Sequence, residues 1–271
     1  MKKLASWHLD PKSAVDVLET FPGDQTPGLD GDERDARKAT EDLRDQLVDL
    51  QERLFAGSAH RLLVVLQAMD TGGKDGAIRK VFSCVNPAGI RVARFEAPSK
   101  GELARDYLWR VHAQVPAKGE IVIFNRSHYE DVLVVRVNEL VPKKVWQRRY
   151  EHIRAFEKLL ADEGTSIVKF YLHIDRDEQK RRLQARLDEP EKNWKFDAHD
   201  LEQRKRWPQY MRAFRDAIVE TDRAHAPWFV IPANHKWYRD YAIMRILVDT
   251  LEKLDLEYPK AEFDPATVRI D

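Results

Sequence analysis

Three short stretches hold residues that could do chemistry on phosphate. The first is Ala68–Gly76, reading AMDTGGKDG, where small residues surround Asp70, Lys74 and Asp75. Backbone N–H groups of a glycine-rich loop can surround an anion, while a lysine in the loop reaches the same oxygens. The spacing approaches GxxxxGK[ST] with two departures: Ala68 stands at the first glycine and Asp75 at the hydroxyl position. That hydroxyl ordinarily holds Mg²⁺, so here the carboxylates of Asp70 and Asp75 are candidates for the metal or lysine contacts. Thr71, Gly72, Gly73, Lys74, Asp75 and Gly76 are the candidate phosphate cradle. A glycine-rich strand-to-helix turn without a ligand is the plainer alternative.

The second stretch is Ile121–Asp131, IVIFNRSHYED, in which polar residues directly follow an apolar run. Arg126 offers planar, bidentate phosphate contacts. Glu130 is a hard oxygen ligand of the kind Mg²⁺ takes. Asn125, Arg126 and Asp131 are the candidate nucleotide contacts. His128 reads as a structural hydrogen-bonding residue rather than a catalytic one.

The third is Arg176–Arg215, with twelve Lys/Arg against eight Asp/Glu and a middle, DEPEKNWKFDAHD, interrupted at Pro190. A charged helix–loop–helix here would overhang a phosphate site as a lid, excluding water and delivering arginines. For any single arginine here a solvated surface hairpin is an equal alternative to a phosphate contact.

These stretches need elements to position them. Leu62–Leu66 is an unbroken apolar run, as in a strand buried on both faces, and Ala77–Val81 begins helical spacing. Further strands are expected at Ile90–Phe95, Glu120–Phe124, Ser166–Ile174 and Ala226–Ile231. Helices are expected over Asp32–Phe55, from a Ser99 cap through Tyr107 and Val111, over Pro142–Ala161, and over Trp237–Leu254. Cys84 is expected in the helix after the glycine loop, as a packing residue. Strands alternating with helices imply a doubly wound parallel five-stranded α/β sheet. Ligands of such sheets bind at the carboxyl ends of the strands, where the first two stretches both emerge. The division expected is an arm over 1–30, irregular with its prolines and glycines, a main domain over 31–257 including a lid at about 176–215, and a tail over 258–271.

Formal charge is balanced, 46 Lys/Arg against 46 Asp/Glu, which argues against a nucleic-acid-coating protein. One cysteine excludes an intrachain disulfide and suits a reducing cytosol. No apolar run approaches membrane-spanning length and the N-terminus lacks a hydrophobic signal region. A cytoplasmic location without membrane contact is expected.

Together, AMDTGGKDG at Ala68–Gly76, FNRSHYEDV at Phe124–Val132 and RRLQARLDEPEKNWK at Arg181–Lys195 resemble polyphosphate kinase family 2. The likeness runs from about Leu43 to Leu254. The resemblance implies a P-loop kinase fold related to thymidylate kinase, and transfer of a terminal phosphoryl group between inorganic polyphosphate and AMP, ADP or ATP. It implies Mg²⁺, with Mn²⁺ as the alternative, and a homo-oligomer, dimer or tetramer. It implies roles for Asp70, Lys74 and Arg126 at the reaction centre and, on the lid, for Trp194 and for Arg182, Arg186 and Lys195 as candidate phosphate contacts. Many members have Asp-Arg where this chain has Asn125-Arg126, and asparagine where it has Glu130. That pattern resembles the subgroup accepting both AMP and ADP, with Glu130 replacing the carboxylate lost at Asn125, so that Asp70 and Glu130 are the implied metal ligands. Two rivals are an ATP-dependent nucleotide kinase on the same fold and a non-catalytic nucleotide or phosphate sensor.

Overall fold

The computed structural model describes Leu18 and residues 22–270. Most of the expected arm over 1–30 lies outside them. Its described end is packed down: Asn234 N–H donates to Gly23 O at 3.0 Å, and the Tyr238 hydroxyl to Pro27 O at 2.6 Å.

Helix α1, Glu33–Gly57, starts at Asp32 with a reciprocal cap to Asp35 and buries Leu43, Leu47, Gln51 and Leu54 along one side. Strand β1, Arg61–Ala68, is buried from Leu62 onward and leads through the glycine loop into α2, Lys74–Phe82. Cys84 lies just beyond that helix, not in it; its thiol donates to Val81 O and the side chain rests against the core. Strand β2 is Ile90–Arg94.

The single helix expected from Ser99 to Val111 is two short ones, α3 (Lys100–Leu103) and α4 (Trp109–His112). Ser99 does cap, reciprocally with Glu102. The break comes where Asp106 Oδ1 accepts from the Leu108 N–H at 3.0 Å, a local turn that competes with helix continuation. Strand β3, Ile121–Asn125, is buried throughout. After the turn His128–Asp131 come α5 (Val134–Val137), α6 (Lys143–Asp162) and β4 (Thr165–His173). Then follow α7 (Arg176–Asp188), a turn at Pro190–Lys195, α8 (Ala198–Lys205), α9 (Trp207–Thr221), β5 (Trp228–Pro232) and α10 (Lys236–Leu251). The charged insertion is therefore shorter than expected. Helix α9 buries Tyr210, Met211, Ala213, Phe214, Ala217 and Ile218, which makes it a wall of the core. Residues 258–270 are exposed where burial is described.

The five strands form one parallel sheet in the order β2-β3-β1-β4-β5. One face packs on α1, α2 and α10, the other on α6 and α9. The chain reverses direction across the sheet at β1, whose neighbours are β3 and β4. The loops after β1 and β3 consequently open into one crevice.

Candidate active site

The glycine loop turns sharply as it leaves β1. Thr71 has φ +63° and Gly73 φ +100°, and the Gly72 N–H closes the turn on Met69 O at 2.9 Å. A Cβ on Gly72 would lie 2.5 Å from Ala68 Cβ, so only glycine fits. Gly73 is the cap of α2, whose first-turn N–H groups therefore open toward the crevice. Among the described residues Lys74 Nζ makes one hydrogen bond, to Ala68 O at 3.1 Å. Burial, and after it the charge of Arg126, holds the Lys74 pKa below the usual lysine value; Asp70, Glu130 and Asp75 oppose the shift.

The β3 motif supplies the facing side chains. Arg126, at φ +62°, extends Nη2 to Asp70 Oδ1 at 3.2 Å. Burial works against its charge, yet Glu130, Asp70 and Asp200 outweigh it and hold Arg126 above its ordinary value. With the Gln67 amide assigned the orientation that satisfies its neighbours, its nitrogen donates to Glu130 at 3.0 Å and its oxygen takes the Ser127 N–H and hydroxyl. Burial raises the Glu130 pKa, against the pull of Arg126 and Lys74. Gln67, a fully buried amide in β1, thus aims the carboxylate. Its only signal in the sequence is a polar residue closing an apolar strand.

Two cavities meet at this centre. A groove of ≈ 540 Å³ runs along the entire loop Asp70–Gly76 and past Arg94, Asn125, Arg182, Arg186, Lys195 and Arg239. A deeper cavity of ≈ 640 Å³ has apolar walls from Met69, Phe95, Leu133, Val134, Leu140 and Phe214, with Arg105, Arg110, Glu130 and Asp131 among its polar groups. Asp70 and Arg126 belong to both.

The other expected residues sort themselves accordingly. Asn125 faces the groove rather than the deeper cavity, donating to Asp75 Oδ1 at 2.7 Å. Asp75 also pairs with Arg94 at 3.3 Å, so its carboxylate is engaged across the strand ends and does not hydrogen-bond Lys74. Asp131 lines the deeper cavity and is held by Arg149 at 2.7 Å. Arg186 pairs with Asp200 at 2.9 Å and also donates to Lys195 O. Lys195 Nζ sits 5.0 Å from the ring of Trp194, which is exposed. Arg182 lines the groove but directs its donors elsewhere: to Glu178, Thr71 O, Ala233 O and Asn234 O. His128 is in the core, its Nε2 3.3 Å from Glu157. Sequence reasoning missed Arg94, Gln67, Asp200 and Arg239, whose partners are distant in the chain.

Asp70 and Glu130 could contribute to a divalent metal site. Among the described residues no three His, Cys, Asp or Glu converge on one point. Magnesium is commonly held by one or two carboxylates plus substrate phosphates, so a pair fits it. The second oxygen of Glu130 makes no protein hydrogen bond among the described residues.

A parallel sheet with its glycine loop after β1, a loop lysine and a facing arginine defines a P-loop kinase-like phosphate-handling protein. The family described as Polyphosphate kinase 2 (PPK2) matches residues 30–259, and the chain belongs to it. An "AMP/ADP-polyphosphate phosphotransferase" from Meiothermus ruber is 60% identical over 245 residues, covering 90% of this chain and 92% of that protein. An "ADP-polyphosphate phosphotransferase" from Rhodopseudomonas palustris is 45% identical, with 80% and 79% covered. The crystal structure of polyphosphate kinase 2 from Arthrobacter aurescens TC1 superposes with a TM-score of 0.89 at 41% identity, covering 96% and 95%. The family match extends beyond the Leu43–Leu254 likeness read from the motifs.

Proposed function

We propose that this chain transfers the terminal phosphoryl group of inorganic polyphosphate to AMP and ADP, and reversibly between ATP and polyphosphate. The observation that carries this reading is the wall shared by the two cavities. A cationic groove along the P-loop suits a polyanionic donor, and an apolar chamber suits a nucleoside. Asp70 and Arg126 sit where the two would meet.

Transfer at such a junction needs alignment and charge neutralisation more than covalent chemistry. An oxygen of the acceptor phosphate attacks the terminal phosphorus of the chain. The new P–O bond forms as the bridging P–O bond breaks, and the shortened chain leaves with the electron pair. No general base is required, because the acceptor phosphate is already anionic. Lys74 and the loop N–H groups hold the donor phosphates. Arg126, kept charged by its carboxylate neighbours, spans donor and acceptor. Asp70 and Glu130 would hold Mg²⁺, which supplies further neutralisation of phosphate charge. The insertion α7–α8 acts as the lid that excludes water, with Arg186 and Lys195 over the donor. Cys84 is a free thiol, which suits a reducing, cytoplasmic setting.

The experiment is a product analysis with long-chain polyphosphate, Mg²⁺ and either AMP or ADP. ADP and ATP should form without any ATP supplied as donor. Turnover with ATP as sole donor to AMP, and none with polyphosphate, would favour the nucleotide-kinase reading. Binding without turnover on either donor would favour a sensor.

A further inference from the structure

For loop N–H groups to face an anion, the intervening carbonyls must turn away from it. Carbonyls turned into the protein then need donors of their own. In this loop the two residues with left-handed backbone are Thr71 and Gly73. Thr71 O accepts from Arg182 Nη1 at 3.0 Å, and Gly73 O accepts from Arg239 Nη1 at 3.2 Å. The two guanidinium groups come from different helices, α7 and α10, and meet the loop at these two carbonyls beside the groove.

We propose that Arg182 and Arg239 are positioning residues that fix the P-loop by taking the carbonyls of Thr71 and Gly73, without binding the phosphate themselves. Arg239 is 2% exposed, and its remaining hydrogen bonds go to Asp240 at 2.8 and 2.6 Å. Arg182 is tied to Glu178 and to the carbonyls of Ala233 and Asn234 at the end of β5. Both line the groove, but the hydrogen bonds of each run to protein carbonyls and carboxylates. Gly73 is matched to this arrangement, since a Cβ there would lie 2.4 Å from Arg239 Nη1. Two like charges side by side disfavour each other, as Arg239 does the charge on Arg182. Beside an anion site that cost is offset by the attraction both charges exert on bound phosphate. The assignment replaces the direct phosphate contact expected of Arg182 and adds Arg239. It rests on the reading of the groove as the donor site.

The test uses the charge-conserving variants Arg182→Lys and Arg239→Lys in the full chain, with inorganic tripolyphosphate binding followed by calorimetry across a salt series. An ammonium keeps the charge but cannot reproduce the fork. Tripolyphosphate affinity and kcat with polyphosphate should each fall about tenfold or more, while KM for AMP changes less than about twofold. The salt dependence of binding should match wild type, since no ionic contact to the ligand has been removed. Wild-type binding in Arg182→Lys, with loss of affinity and a shallower salt dependence only in the uncharged Arg182→Gln, would show that the charge serves the ligand directly and overturn the assignment for that residue. Wild-type affinity and turnover in both variants would overturn it entirely. The variants act from separate helices, so a folding failure in one leaves the other to decide. If wild-type protein does not bind tripolyphosphate, the donor-groove reading falls and this inference with it; wild-type binding with unchanged variants sinks the inference alone.

Discussion

Two lysines lie on opposite sides of the fold's logic. Lys169, in the middle of β4, is completely buried and fully partnered: Glu157 at 2.6 Å, the Tyr129 hydroxyl at 2.9 Å and Thr221 O at 3.0 Å. Lys74, at the start of α2, has a single hydrogen bond among the described residues. Burial lowers the pKa of both. The protein spends three partners on the first and leaves the second with donors unspent. A satisfied buried charge holds a fold together internally, whereas a desolvated, under-satisfied one is kept for something that arrives.

The largest expected effect is at Lys169. Lys169→Ala leaves Glu157 buried without its counter-charge and should cost about 3–5 kcal/mol in denaturant unfolding. The double variant Lys169→Met, Glu157→Leu should recover part of that loss, since it removes the uncompensated charge but takes partners from Thr221 O and His128. If the single variant unfolds at the wild-type midpoint, the two lysines are not of different kinds.

Lys74→Ala sharpens the contrast from the other side. Activity should fall more than about a hundredfold, in line with one preorganised contact worth roughly 3 kcal/mol. Thermal stability should stay within about 2 °C of wild type, because no core partner is lost. Near-normal turnover in a folded variant would remove Lys74 from the site.

Glu130 tests the acceptor side. Glu130→Asn should keep substantial ADP phosphorylation and lose AMP phosphorylation disproportionately, by about tenfold in the ratio, since an amide binds a metal ion far less well than a carboxylate. Turnover measured separately on the two acceptors at saturating polyphosphate decides it. An equal fall in both would make Glu130 a general ligand rather than an acceptor selector.

The smallest effect is expected at Asp200. Burial first, and then the nearby Asp70, push its carboxyl up to about 6, with Arg186 opposing. A folded-state pKa above the unfolded one means that ionisation disfavours the fold. Its contribution is complete below the unfolded value near 4 and is lost as pH rises through about 6. Asp200→Asn should therefore raise stability by on the order of 1 kcal/mol at pH 8 and by almost nothing at pH 4. Denaturation midpoints at the two pH values check the sign.

Much of this was legible in the sequence for a physical reason. The apolar run Leu62–Leu66 can only be a doubly buried strand, and a small-residue loop carrying Lys74 after it has few other uses. Arg126 and Glu130 follow from the polar residues that end β3. What stayed hidden depends on long-range pairing. Arg239 meets Gly73 across 166 positions, and Gln67 reaches Glu130 on the neighbouring strand. Charge density misled at α9, where the stripe Trp207, Tyr210, Met211, Phe214 and Ile218 at helical spacing marks the core despite its arginines. Lys169 left a trace too, a lone charge inside the apolar run of β4.

The cationic groove has a consequence for encounter in solution. It gathers eleven of the chain's 46 Lys/Arg and four of its 46 Asp/Glu. Everything else therefore carries 35 positive against 42 negative groups. A protein with no net charge is in this way polarised, with a positive mouth and a remainder that is negative on balance. A long polyanion feels little attraction beyond the Debye length, about 8 Å at physiological salt. Within that range it is turned toward one face and repelled from the rest. Capture is thereby selective in direction while the molecule remains indifferent to polyanions met from behind.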